Sequence, residues 1–141
     1  MNVRKLLMVS VLAALTGLSS CEKEPVYNTY ENPHWTVGSY EGISESCTIV
    51  MDLPSNLKPY QDEADVVGAF IGDECRGVST QQEGLFYIIV SGASNENGNI
   101  TLRYWSARNK YMYQVNEVIP FEINAQKGTT DEPFVPSFSI L

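Results

Sequence analysis

The strongest constraint on the fold is a series of short runs of alternating apolar and polar residues, which continues from about residue 45 to the C-terminus. In the first run, Cys47, Ile49 and Met51 occupy alternate positions, and clusters of turn-forming residues follow at 54–56 and 95–99. A period of two predicts β strands, because successive side chains of a strand point to opposite faces. Nowhere in this stretch do apolar residues recur at helical spacing over three turns. The pattern therefore predicts an all-β fold.

The spacing of the turns predicts the architecture. Strands are expected at residues 45–53, 65–71, 74–80, 85–91, 99–107, 111–115, 118–123 and 134–141. Gly72 and Asp73 match a two-residue hairpin, because both residues tolerate a positive φ. Seven or eight short strands, with turns about every eight to twelve residues, are typical of an antiparallel β-sandwich of immunoglobulin-like or jelly-roll type. A chain of 141 residues holds one such domain, which we place at residues 45–141.

The first twenty residues, 1–20, have the composition of a secretory signal. Two basic residues near the start precede an apolar run at 6–15, which is much too short to span a bilayer. The segment ends in Leu-Ser-Ser-Cys at 18–21, which resembles the lipobox of bacterial lipoproteins. The resemblance implies that the signal is removed and that Cys21 carries the acyl chains that attach the protein to a membrane. The alternative is an ordinary secretory signal with an incidental cysteine.

Residues 21–44 are expected to form a tether between the membrane and the domain. They include Pro25, Pro33 and Gly38, and they show no sustained period. The acidic and lysine residues directly after Cys21 resemble the surface-export signal of lipoproteins from Bacteroidetes. This resemblance implies an outer-membrane lipoprotein that is exposed at the cell surface.

The most distinctive segment of the chain is a hairpin that begins at Asp65. An Asp-x-x-Gly-Ala-Phe strand turns there into a Glu-Cys-Arg-Gly strand at residues 74–77. This hairpin resembles a recurring signature of secreted and surface proteins from Bacteroidetes, and the similarity extends over about residues 45–141. The resemblance implies a β-sandwich module for which no enzymatic activity is established.

Several residues of this hairpin are small where a strand usually carries a bulky side chain. Gly68, Ala69 and Gly77 indicate a close approach by another backbone or by a large aromatic ring. We interpret Arg76 as a residue that stacks on aromatic rings and binds loop carbonyls, with ligand binding as the alternative.

Charge and composition exclude several classes of function. The formal net charge is −8, and it becomes −10 without the signal, which contains Arg4 and Lys5 and no acid. Such a chain lacks the basic surface that nucleic-acid binding requires. His34 is the single histidine and lies in the predicted tether, which excludes catalytic centres and metal sites built on several histidines. We therefore predict that the protein is not an enzyme.

Acidic residues near the hairpin offer the oxygen ligands that calcium prefers. These residues are Asp62, Glu63, Asp65, Asp73 and Glu74. Their spacing does not match that of an EF-hand loop, so we predict no metal site and no other cofactor.

Cys47 and Cys75 are the thiols that remain after the predicted anchor. In an oxidising compartment they form a possible disulfide between the first and third strands. The alternative is that each cysteine serves as a small buried hydrophobic residue.

Aromatic residues supply the candidate binding site. In the strand at 99–107, Arg103 and Trp105 face outward if the alternate residues form the core. Tyr111 and Tyr113 follow a short turn and are expected beside them. An exposed Trp flanked by Tyr and Arg offers a surface on which a sugar ring stacks. The alternative is a buried Trp105, because tryptophan is highly buried on average.

The sequence thus predicts a lipid-anchored surface module that binds a glycan or a partner protein through this face. The alternative function is that of a structural or accessory subunit, or an adhesin component, of a surface assembly. A hydrolase would need a cleft with two close carboxylates, which the turn positions of the acidic residues do not favour.

Overall fold

The computed structural model describes residues 24–141, which contain nine β strands and one short 3₁₀ helix at Lys58–Tyr60. The strands are β1 (Ile43–Met51), β2 (Val66–Ile71), β3 (Glu74–Gln82), β4 (Leu85–Ala93), β5 (Asn99–Trp105), β6 (Met112–Val115), β7 (Ile119–Pro120), β8 (Gln126–Lys127) and β9 (Phe138–Ile140). The predicted signal at 1–20 and the predicted lipidation site Cys21 lie outside the described residues. No helix within residues 24–141 has the length and apolar character needed to cross a bilayer.

The strands form one curled sheet in the order β8-β1-β4-β3-β2-β5-β6-β9, with β7 paired to β5. β3 joins its two halves, since residues 74–80 pair with β2 whereas Gln81 and Gln82 pair with β4. The strand pairs are antiparallel except that β8 runs parallel to β1, with Thr48 opposite Gln126. The predicted all-β, sandwich-like fold is confirmed, with a mixed sheet in place of a wholly antiparallel one.

Alternate residues of the long strands build one core between the two halves of the sheet, as a period of two requires. The buried members of this core are Cys47, Ile49, Met51, Leu53, Leu57, Val67, Ala69, Ile71, Phe86, Ile88, Val90, Ile100, Leu102, Tyr104, Val115, Ile119 and Phe121. In β4 the intervening residues Tyr87 and Ile89 are exposed. The alternation that predicts the strands therefore also marks the inner face of the sheet.

Residues 27–40, here called the N-terminal segment, lie against the outer face of the β2–β5 half. The Tyr30 N–H donates to the carbonyl of Lys110 at 2.8 Å, and Trp105 Nε1–H donates to the carbonyl of Tyr30 at 2.9 Å. Further along, the Trp35 ring meets Phe70 edge-on, with 5.4 Å between ring centroids. Within residues 24–44, the described part of the predicted tether at 21–44, the chain is thus docked on the domain at Tyr30 and Trp35, and β1 already begins at Ile43.

The glycines of the β2–β3 hairpin have close neighbours of both predicted kinds, an aromatic ring and a backbone. A Cβ atom added to Gly68 would lie 2.7 Å from the Trp35 ring. A Cβ atom added to Gly77 would overlap the backbone carbonyl oxygen of Ile89 in β4. The prediction of close approach by an aromatic ring or a backbone is confirmed at both glycines.

Arg76 is bound on several sides by protein groups. Its guanidinium lies over the Tyr40 ring, 5.1 Å from the ring centroid, and donates to the carbonyl of Ser91 at 3.1 Å. It also pairs with the carboxylates of Glu74 and Glu96, at 2.6 and 3.1 Å. The interpretation of Arg76 as a residue that stacks on an aromatic ring is confirmed. The carbonyl that it binds lies in β4 and not in a loop as predicted, and Arg76 also forms two ion pairs.

Cys47 and Cys75 are both buried, and both are free thiols. Cys47 lies in β1 opposite Val90, whereas Cys75 lies in β3 opposite Phe70. The possible disulfide is therefore not formed, and the alternative of two small buried residues describes them correctly. Burial raises the pKa of both thiols, so they stay protonated and unreactive at neutral pH.

Thiol titration tests this assignment. In a Cys21→Ser chain, we expect no thiol to react in the native state and two to react after unfolding without reductant, because burial alone protects them. A Cys47→Ser substitution in the same chain should reduce the count to one. If no thiol reacts in the unfolded chain before reductant is added, Cys47 and Cys75 are oxidised and the assignment is wrong.

Candidate functional site

The residues predicted to form one binding platform lie at the β5–β6 hairpin but on different faces. These residues are Arg103, Trp105, Tyr111 and Tyr113. The register places Tyr113 opposite Tyr104, whose side chain is in the core, and Arg103 opposite Gln114. Directly opposed residues of paired strands share a face, so Tyr113 points inward and Arg103 points outward. The predicted platform is therefore divided between two surfaces.

Trp105 is on the outer face of the sheet, as predicted, but it is only 6% exposed. The N-terminal segment covers it, and the carbonyl of Tyr30 accepts its indole N–H at 2.9 Å. An exposed Trp105 that stacks on a ligand is therefore a wrong prediction. The alternative of a buried Trp105 is correct, although its cover is the N-terminal segment and not the sandwich core.

Tyr111 and Tyr113 meet a tyrosine from elsewhere in the chain. The Tyr111 ring lies edge-on to Tyr27, with 5.6 Å between centroids, and edge-on to Tyr113, with 6.4 Å. Burial raises the pKa of Tyr113, and the nearby phenols of Tyr111 and Tyr27 raise that pKa further. We call Tyr27, Tyr111 and Tyr113 the tyrosine cluster. Tyr27 is 42% exposed, and the other two are half-buried.

Two separate parts of the chain supply the tyrosine cluster. Tyr27 begins the N-terminal segment, whereas Tyr111 directly precedes β6 and Tyr113 lies within it. Sequence reasoning misses Tyr27, because it does not lie in a periodic segment whose pairing could place it. The available signal is its residue type, an aromatic ring within an otherwise polar stretch.

Asp65 supports the tyrosine cluster through the core residue Tyr104. It is fully buried and accepts hydrogen bonds from the Tyr104 hydroxyl at 2.6 Å and from the N–H groups of Ala107 and Asp62 at 2.8 and 2.9 Å. Burial raises the pKa of Tyr104, and the Asp65 carboxylate raises it further, so the hydroxyl remains a donor. The Tyr104 ring stacks on Tyr113 at 5.7 Å between centroids. Asp65 thus fixes the ring against which Tyr113 packs.

A cleft of about 440 Å³ adjoins Tyr113. Phe138 contributes a second aromatic wall, and Asn56 and Glu117 contribute polar groups. The Glu117 carboxylate accepts the N–H and the hydroxyl of Ser137 at 2.8 and 2.9 Å. Its slight burial opposes ionisation, but the hydrogen bonds from Ser137 outweigh that effect and lower the pKa of Glu117. The cleft therefore presents a charged acceptor at neutral pH.

The tyrosine cluster and this cleft, together called the tyrosine site, combine half-exposed rings with fixed polar groups. Such a surface suits a ligand that has both apolar faces and hydroxyl groups. Across residues 24–141, no three His, Cys, Asp or Glu side chains are placed to hold a metal ion together. Comparisons with protein-family models, with curated proteins and with solved structures gave no match to this chain.

Proposed function

We propose that the chain is a lipid-anchored, surface-exposed binding module whose tyrosine site binds a glycan. The observation that carries this proposal is the contact among three tyrosines beside a cleft with fixed polar groups. Aromatic rings stack on the apolar C–H faces of sugar rings, while phenol hydroxyls and polar side chains bind sugar hydroxyls.

A neutral glycan suits this site better than an acidic one. Glu117 keeps its negative charge in the cleft, and the whole chain carries a formal charge of −8. Both charges repel a polyanion, whereas the Glu117 carboxylate is a strong acceptor for sugar hydroxyls.

The proposed anchor would hold the tyrosine site close to the membrane. Tyr27 packs on Tyr111 and is six residues from Cys21. A fully extended chain of that length spans at most roughly 20 Å. The proposal therefore requires a glycan that reaches within roughly 20 Å of the anchoring membrane.

Affinity electrophoresis of the lipidated chain in mild detergent, through gels that contain neutral polysaccharides, tests the proposal. We expect one class of polysaccharide to retard the chain. Tyr27→Ala should weaken this binding about tenfold or more, because it removes the most exposed ring of the cluster. Tyr87→Ala is the matched control, since Tyr87 is a comparably exposed tyrosine on the outer face of β4. No retardation, or equal effects of the two substitutions, would contradict the proposal.

A second candidate function is that of a structural or accessory subunit, such as an adhesin component. The position of β9 at one edge of the sheet favours this role. The backbone N–H and C=O groups of Phe138 and Ile140 point away from β6, the neighbouring strand. An open edge of this kind accepts a strand from another chain. The lipidated chain should then co-purify with a stoichiometric partner, and Ile140→Pro should release that partner by removing an outward N–H. Purification without any such partner speaks against this role.

A further inference from the structure

A second cleft, of about 200 Å³, lies on the outer face of β5, two residues along from the covered Trp105. It is lined by Phe70, Gly72, Asp73, Thr101, Arg103 and Gln114. The register explains this convergence, because Thr101 lies opposite Phe70 in β2 and Arg103 lies opposite Gln114 in β6. Residues two apart in a strand share a face, so these side chains meet on one surface, here called the Arg103 cleft.

Arg103 is the distinctive member of this cleft. It is exposed and forms no ion pair within residues 24–141, although the chain carries a formal charge of −8. Lys58, Arg76 and Lys110, by contrast, each pair with a carboxylate. The Arg103 guanidinium lies over the Phe70 ring, 5.4 Å from its centroid. This contact orients the guanidinium and leaves N–H groups at its edge for a ligand.

The polar groups of the cleft select the chemistry of that ligand. The planar fork of arginine binds a carboxylate through two parallel hydrogen bonds. Asp73 lines the same cleft, and its negative charge opposes a simple anion. Its oxygens, the Gln114 amide and the Thr101 hydroxyl are instead partners for ligand hydroxyl groups. A molecule that joins one carboxylate to several hydroxyls therefore satisfies the cleft better than acetate or a neutral sugar does.

We propose that the Arg103 cleft is a second ligand site and that it binds a sugar acid of the uronate type. Arg103 binds the carboxylate of the sugar acid, and Asp73, Thr101 and Gln114 bind its hydroxyls. The tyrosine site is built on the inward-facing Tyr113, so the two proposals concern different surfaces and either one can fail alone.

An NMR titration of the full chain in detergent micelles with sodium glucuronate, at constant ionic strength, tests this site. We expect saturable shifts in the backbone amides of Thr101, Arg103 and Gln114. Arg103→Gln should weaken the affinity about tenfold or more, because it removes a bidentate, charge-assisted contact. Arg103→Lys keeps the charge without the fork and should recover only part of the affinity. Arg108→Gln is the matched control, since Arg108 is also exposed and has no ion pair in the described part of the chain.

Two further titrations establish the ligand class. Glucose and acetate should each bind about tenfold more weakly than glucuronate, because each lacks one half of the recognised chemistry. Asp73→Asn should strengthen the binding of acetate by removing the opposing charge. Equal affinities for acetate and glucuronate, or glucuronate shifts that persist in a folded Arg103→Gln chain, would overturn the proposal. The absence of saturable shifts with glucuronate would also overturn it.

Discussion

Replacement of Asp65 by alanine is expected to lower the free energy of unfolding by about 4 kcal/mol. The substitution removes the acceptor for three donors, which are the Tyr104 hydroxyl and the N–H groups of Ala107 and Asp62. The buried Tyr104 hydroxyl loses its partner at a cost of about 1–3 kcal/mol, and each of the two part-buried N–H groups adds on the order of 1 kcal/mol. Urea denaturation followed by tryptophan fluorescence measures the change.

Asp62→Ala is the matched control, because Asp62 lies in the same loop and its side chain caps only the N–H of Ala64, at 2.9 Å. We expect that substitution to cost about 1 kcal/mol or less. Tyr104→Phe should cost about 1–2 kcal/mol, since it removes one of the three donors to Asp65 and leaves the stacked ring in place. If Asp65→Ala costs no more than Asp62→Ala, the network around Asp65 does not stabilise the fold as described.

Gly77→Ala is expected to destabilise the protein by about 3 kcal/mol, the upper part of the usual range for an overpacked site. The added methyl group would overlap the carbonyl oxygen of Ile89, and Ile88 lies 3.4 Å away on the same side. Because the obstacle is the backbone of β4, relief requires β3 and β4 to separate where the two halves of the sheet join. Thermal and urea denaturation measure the loss.

Gly68→Ala provides the contrast for this prediction. A methyl group there would meet the side chains of Trp35 and Phe70, at 2.7 and 2.8 Å. The N-terminal segment that carries Trp35 can shift without breaking a strand pair, so we expect Gly68→Ala to cost about 1–2 kcal/mol. A larger loss from Gly68→Ala than from Gly77→Ala would show that the N-terminal segment, and not the β3–β4 contact, is the more rigid of the two.

The tyrosine site could be predicted only in part from the sequence. Tyr111 and Tyr113 could be singled out because they flank a recognisable hairpin. Their partner Tyr27 could not, since it lies in a segment without a period and meets Tyr111 through a contact distant in sequence. Local patterns carry information about local geometry, whereas the meeting of distant chain segments depends on the whole packing arrangement.

Trp105 shows a second kind of limit. Its outward orientation follows from the alternation in β5, and the structure agrees with it. Its burial depends on Tyr30, which lies 75 positions earlier in a stretch that resembles a linker in composition. Tyr113 lies on the inner face and not on the predicted outer face for a related reason. A register difference of one residue moves a side chain to the other side of the sheet.

The sequence by itself determined most of the strands of this protein, because the period of two and the turn residues depend on neighbours within a few residues. The short β8 (Gln126–Lys127) lies outside the predicted strands. Gly68 and Gly77 marked places of close approach by their small size, but the groups that approach them come from distant parts of the chain. The tertiary structure alone decided which face each aromatic residue occupies, that the N-terminal segment covers Trp105, and that Cys47 and Cys75 stay apart. Those outcomes depend on strand register and on the docking of distant segments, which arise only when the complete chain packs around one core.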